Sequence, residues 1–408
     1  MQQPHWCPNP TQQLLLQACL LSEEKAIAAF RTWLQAAKAT RNDSASQRLL
    51  PLLWWRCNEW QLGSLQRQYA DESAAWKSAM LQTWALNQRR LSHANQLAEQ
   101  LSRAGIPLLV VKGLPLALAA YGHLGLRPMG DLDLVVPDIQ AGKSLEVLSA
   151  AGWTPLPTPL KGSDDPEVQQ RYPWSLENRA LADFSNLYFR VRNGHGFRHA
   201  DGTEADLHWY IFHEQCDPGI DKTIWAHSLA LEQWNRSSAP EISPHLFMLD
   251  PVDHLLLILA HASRWDAIAP IRWVADAVLL VKAVDQFNWK RFVDLAIERS
   301  LVAPVRDLLA YLQSQMDLDV PAETMAALAI ATDPSTSQRL SMRSLPDVWG
   351  GGEELIYLLR RWRRLREDHQ LRRQVPGLMR FCCHILGIPS RRNLLQYGFL
   401  ELQRRWSH

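Results

Sequence analysis

The feature that most constrains this chain is a change of hydrophobic period near residue 105. From Thr11 to about Arg103, apolar residues such as Leu14, Leu15, Ala18 and Cys19 recur at three- and four-residue steps without strand-like alternation. The spacing predicts helices throughout. The last runs from about Ala74 to Arg103, with Gly105 as its stop and Pro107 preventing continuation. Short elements follow: a strand at Leu108–Val111, a helix at Leu114–Tyr121, a strand at Asp131–Val136 entered through Pro128 and Gly130, and a helix at about Ile139–Ala151 ending at Gly152. Thr154–Arg179, rich in Pro and charge, reads as a long loop. Two more strands are predicted at Phe184–Val191 and Glu204–Ile211, with a Gly- and His-containing turn region between them. Helical period returns after Pro251, over Leu255–Arg264, Ile271–Val284, Trp289–Arg299 and Pro304–Met316.

This order predicts an α+β fold, a small α/β core flanked by helical regions at both ends. The expected divisions are a helical region over 1–104, the core over 105–250, a helical domain over 251–330 and a basic helical tail over 331–408. A length of 408 residues fits several domains better than one. With 47% apolar and 21% charged residues the chain can build cores. Its 43 Lys and Arg against 42 Asp and Glu exclude a polybasic nucleic-acid binder as a whole-chain description, and an acidic solvating tail as well. The +1 balance is nevertheless uneven: Leu355–His408 carries 12 Arg against Glu367, Asp368 and Glu401, a net of +9. Arg360, Arg361, Arg363, Arg364 and Arg366 interleave there with Leu and Trp362. That pattern suits a basic amphipathic helix facing an anionic membrane, nucleic acid or an acidic partner, or a solvated face paired to the body.

The 18 Trp suggest helix-packing anchors. The six Cys show no CxxC spacing and read as reduced, mostly buried thiols. No secretory signal follows Met1, and the most apolar run, Leu255–Ala260, is far short of the ~20 residues a spanning helix needs. A cytoplasmic protein without a transmembrane span is expected.

Asp131-Leu-Asp133-Leu-Val-Val136 carries the chemistry. In a strand, Asp131 and Asp133 share one face while Leu132, Leu134 and Val136 enter the other. Adjacent carboxylates repel unless a cation lies between them, and Mg²⁺ commonly takes one or two carboxylates plus substrate phosphates. Turn hydrogen bonding or solvent exposure is the structural alternative. Asp206 alternates with apolar neighbours and shares a face with Glu204 and His208, so it could supply a third carboxylate from a neighbouring strand. Lys112 and Gly113 close the first strand where backbone amides could meet phosphate oxygens. Arg127 could offer its guanidinium to the same phosphates or neutralise the Asp pair.

Val111-Lys112-Gly113, Arg127-Pro-Met-Gly-Asp131-Leu-Asp133 and Asp206-Leu-His-Trp209 together resemble an uncharacterised nucleotidyltransferase family of the DNA polymerase β type superfamily. Asp253-His-Leu-Leu256, Ile271-Arg-Trp-Val-Ala-Asp276 and Asn288-Trp289 resemble that family's helical half, so the resemblance spans about 11–315. It implies a mixed sheet bearing Asp131 and Asp133 on one strand and Asp206 on another. It further implies two Mg²⁺ ions, with Mn²⁺ as the alternative, and transfer of a nucleoside monophosphate from an NTP to a hydroxyl or phosphate acceptor. Asp131 and Asp133 would bind both ions, and Asp206 the one on the acceptor side. The glycine motif departs from the superfamily's Gly followed by Gly or Ser, because Leu114 and Pro115 follow Gly113.

A non-catalytic nucleotide-binding or scaffold protein is therefore the alternative. A nucleotide-sugar transferase using a DxD pair would want a Rossmann-like region ahead of it, where this chain has helices. Asp253-His254 with His261 lacks the contiguous His-Asp and further ligands of a phosphohydrolase. His208 is assigned a structural hydrogen bond ahead of a base or supporting role. Arg272 and Asp276, at i and i+4, are expected to pair on their helix for ~0.3–0.5 kcal/mol.

Overall fold

A computed structural model describes residues 4, 6–39, 43–60, 70–157, 186–212, 215–236, 241–263, 271–331 and stretches between 359 and 398. The chain divides into two compact units. One comprises Met1–Ser102, Pro107–Asp133 and Lys222–Ser344, the other Arg103–Ile106, Leu134–Asp221 and Leu345–His408.

In the first unit the predicted N-terminal helices are α1 (Pro10–Leu20), α2 (Glu23–Ala39), α3 (Ser44–Gln47), α4 (Leu50–Glu59) and α5 (Ala70–Arg103). Asn9 and Gln12 cap α1 reciprocally, each side chain taking the other's backbone N–H. Trp33 of α2 and Trp76 of α5 lie 5.9 Å apart, with Phe30 against both, so these tryptophans are packing anchors. The unit then runs through β1 (Leu108–Val110), α6 (Gly113–Ala119) and the start of β2 (Leu132–Val135).

The second unit takes the end of β2, then α7 (Ala141–Ala150), β3 (Trp153–Pro155), α8 (Asn186–Val191), β4 (Gly194–His199) and β5 (Glu204–His208). The first resumes with α9 (Lys222–Ala226), β6 (Leu229–Ala230), β7 (Leu246–Met248), α10 (Pro251–Ala262), α11 (Arg272–Lys282), α12 (Trp289–Glu298), α13 (Val302–Met316) and α14 (Ala322–Ile330). α15 (Leu378–Leu386) belongs to the second unit.

The strands form one mixed sheet in the order β3-β4-β5-β2-β1-β7-β6, which makes the fold α+β with helical flanks. β3, β4 and β5 are antiparallel, and β1 runs parallel to β7. β2 is wholly buried, as a strand between two others should be.

Two expectations change. Phe184–Val191 is not a strand: among its described residues Asn186–Val191 is helical. The indole Nε1 of Trp209 donates to the carbonyls of Phe189 and Arg192, at 2.9 and 2.6 Å, and so satisfies groups that a helix end leaves open. The Gly- and His-containing stretch read as a turn is itself β4, paired with Gly194 opposite His208 and Gly196 opposite Asp206. Most of the loop expected at Thr154–Arg179 lies outside the described residues, but its first residues form β3. β6 and β7 are too short to show a period. Among the described residues no helix is long and apolar enough to cross a membrane. Cys19, Cys57, Cys382 and Cys383 are buried and unbridged.

Candidate functional site

The first unit builds the site around the turn between β1 and α6. Val111 N–H donates to Asp133 O at 3.0 Å, tying β1 to β2, and the Lys112 ammonium lies 2.5 Å from Asp133 Oδ1. Lys112 itself adopts φ 55°, ψ −106°, a conformation unfavourable for a side chain bearing a Cβ. Its N–H donates to His254 Nε2 at 3.0 Å. His254 stands in the first turn of α10, whose start is fixed by Asp250 accepting from Val252 N–H and by Pro251. Burial, and then the nearby Arg127 charge, push the His254 pKa down to about 3, so the imidazole is a neutral acceptor.

A cluster of buried polar groups holds the loop leading into β2. Arg127 donates through Nε and Nη2 to the two oxygens of Asp276, at 2.8 and 2.7 Å, and Tyr121 OH adds a third bond at 2.8 Å. Burial alone would raise the Asp276 pKa. Arg127 outweighs it, and the carboxyl is held below its ordinary range. Asn87 of α5 donates to Leu124 O and Arg127 O, Arg90 donates to Gly130 O, and Arg272 donates to Pro128 O. Carbonyls that no strand or helix satisfies are thereby gripped from two helices.

The residues singled out in the sequence fall as follows. Arg127, expected to reach phosphate or offset the Asp pair, is 4% exposed and committed to Asp276. Asp276, expected to pair with Arg272 on its own helix, takes Arg127 instead, and Arg272 turns to Pro128 O. Gly113 is buried, and a Cβ there would lie 3.0 Å from both Arg127 Nη1 and Met129 Sδ. What approaches Gly113 closely is thus the loop before β2. Asp131 lies in the bend just ahead of β2, half-buried, while Asp133 is buried within the strand.

On β5, Asp206 and His208 share one face, and β4 sets glycines beside both. A Cβ on Gly194 would lie 2.6 Å from His208 Nδ1, and one on Gly196 would lie 3.2 Å from Asp206 Oδ1. Asn193 Nδ2 lies 3.3 Å from His208 Nδ1, where the amide N–H donates when that ring nitrogen carries no proton. β5 and β2 are neighbours in the sheet. Asp206 and His208 offer a carboxylate oxygen and an imidazole nitrogen from one face of β5 in the second unit, and Asp133 offers a carboxylate in the first. Carboxylate oxygens suit Mg²⁺ and Mn²⁺, and an imidazole nitrogen extends the range toward softer ions. Asp206 and His208 are therefore groups that fit a divalent cation, and side chains at 194 and 196 would crowd them.

The sequence matches, over residues 42–317, the model of a family described as uncharacterised nucleotidyltransferase. The match covers well over half of the chain, and the chain belongs to that family. Membership supports a nucleotidyltransferase activity in general. No curated protein compared with it matches.

Proposed function

We propose that this protein transfers a nucleoside monophosphate from an NTP to a hydroxyl or phosphate acceptor with the help of Mg²⁺ or Mn²⁺. The observation that carries the reading is the Lys112 ammonium on Asp133 of β2, and Asp206 and His208, on one face of β5, are the further groups able to hold a metal. A divalent ion there would polarise the transferring phosphoryl group and stabilise the leaving pyrophosphate. Asp131, Asp133 and Asp206 would be the metal ligands, with His208 beside Asp206 on β5. Asp206 lies on the acceptor side. Lys112 offers its charge to the triphosphate, and Gly113 keeps room for the loop that carries Arg127. Arg127 acts on that site through the loop, since Asp276 occupies its guanidinium.

The alternative, a nucleotide-binding scaffold that has lost transfer, is favoured by one observation: an ammonium already neutralises Asp133 at 2.5 Å. Pyrophosphate release from each of the four NTPs over a panel of hydroxyl and phosphate acceptors separates the two. Metal-dependent release that disappears in Asp131→Asn/Asp133→Asn supports transfer. Nucleotide binding without release supports the scaffold, and equal release by the variant overturns the assignment.

The C-terminal segment offers a second contact surface. Trp362, Leu365, Leu378 and Leu394 pack against Val375, Phe381 and Cys382, while Arg366, Arg372, Arg373, Arg380 and Arg391 are exposed. Met379 and Leu395 are exposed beside these arginines, which would suit an anionic partner: a nucleic acid, an acidic protein or a membrane surface.

A further inference from the structure

Lys112 is held at three points. Its carbonyl accepts from Leu116 N–H at 3.3 Å, its ammonium meets Asp133, and its N–H meets His254 Nε2. The first two would exist in many strand-to-helix turns. The third comes from 142 positions further along the chain, from a wholly buried imidazole. Accepting at Nε2 puts the imidazole proton on Nδ1, and Nδ1 is buried with no hydrogen-bond partner among the described residues. An unpartnered buried donor is destabilising, so an apolar side chain of similar volume would serve packing better. The Lys112 backbone, at φ 55°, carries strain that the surroundings must hold. Two unfavourable features thus meet at one hydrogen bond, and both are accounted for if that bond fixes the turn.

We infer that His254 is a positioning residue: through Nε2 it holds the Lys112 N–H, pins the strained turn after β1, and so keeps the Lys112 ammonium aimed at Asp133. Its functional consequence rests on the proposed nucleotidyl transfer, because Lys112 is the cation offered to the triphosphate. His254 touches neither substrate nor metal in this role. Its effect passes through the Lys112 backbone.

The test uses the full-length protein, selectively ¹⁵N-labelled in histidine or lysine, with His254→Gln, which keeps an acceptor, and His254→Met, which fills the space without one. In the unmutated protein the His254 ring nitrogens should report the Nδ1–H tautomer, a measurement that needs no variant to fold. Lys112 amide exchange should quicken about tenfold or more in His254→Met and stay within about threefold of the unmutated protein in His254→Gln. Calorimetric binding of magnesium pyrophosphate, the product common to all four NTPs, should weaken about tenfold in His254→Met and recover in His254→Gln. An Nε2–H tautomer overturns the inference, as does a His254→Met protein with slow Lys112 exchange and unchanged pyrophosphate binding. If the unmutated protein binds neither magnesium pyrophosphate nor any NTP, the nucleotidyl-transfer reading fails. The tautomer and exchange data still decide whether His254 holds Lys112.

Discussion

The Lys112 ammonium and the Asp133 carboxylate stand 2.5 Å apart, joining the residue that ends β1's turn to the carboxylate in the middle of β2. This pair places a positive charge at the carboxylate proposed to bind metal. Replacing Lys112 with Met should lower kcat/KM for the NTP by about 10²–10³-fold, the usual cost of losing one preorganised charge at a transferring phosphoryl group. Steady-state pyrophosphate release measures it. Unchanged kcat/KM would make Lys112 a counter-ion only.

Arg127 and Asp276 form a buried pair, at 4% and 7% side-chain exposure. Removing one partner strands the other's charge, so Asp276→Asn should destabilise the protein by about 3–5 kcal/mol in urea unfolding. Arg127→Met/Asp276→Leu should recover most of the loss, because an apolar pair leaves no uncompensated charge. A double variant as unstable as the single one would contradict this account of the loop.

Asp253 and His254 are neighbours with opposite linkage to pH. Burial raises the Asp253 pKa to about 6 from 3.8, against the pull of Arg291. The fold therefore favours its protonated form, and its contribution to stability is full below about pH 4 and lost as pH rises through 6. His254 is depressed to about 3 from 6.5, so its contribution is present above 6.5 and lost as pH falls through 3. Between pH 4 and 6, Asp253→Asn should gain stability relative to the unmutated protein as pH rises. The advantage of the unmutated protein over His254→Gln should grow over the same range. Urea midpoints across pH check both slopes, and slopes of the reverse sign would refute them.

Gly194 and Gly196 make a graded pair of tests. Gly194→Ala puts a Cβ 2.6 Å from His208 Nδ1 and 2.8 Å from Leu207 O, so the strands themselves must shift, whereas Gly196→Ala meets Asp206 Oδ1 at 3.2 Å. Gly194→Ala should cost about 1–3 kcal/mol of stability and Gly196→Ala less, while both weaken metal binding. Unfolding midpoints together with Mn²⁺ affinity measure the two effects. Equal metal affinity in all three proteins would remove β4 from the site.

What the sequence made legible was local. The alternation in Asp131–Val136 announces β2 because its period is carried by the residues themselves, and the stop at Gly105, with φ 73°, closes α5 where expected. β4 stayed hidden because Gly194 and Gly196 are turn residues until Asp206 and His208 stand opposite them. Helix α8 was equally hidden, since the Trp209 indole that closes it comes from β5's end. Spacing offers Asp276 its neighbour Arg272, yet the fold gives it Arg127, 149 positions away. His254, Asn87 and Arg90 carry no local signal, because each works by gripping the backbone of a loop distant in sequence.

The most direct test of the central claim is a Mn²⁺ titration followed by electron paramagnetic resonance, with a non-hydrolysable NTP present, on the unmutated protein, Asp133→Asn and Asp206→Asn. The proposed carboxylate ligands Asp133 and Asp206 predict bound Mn²⁺ that Mg²⁺ displaces, with affinity reduced at least about tenfold in each variant. Equal Mn²⁺ binding by all three proteins would contradict a metal centre on β2 and β5.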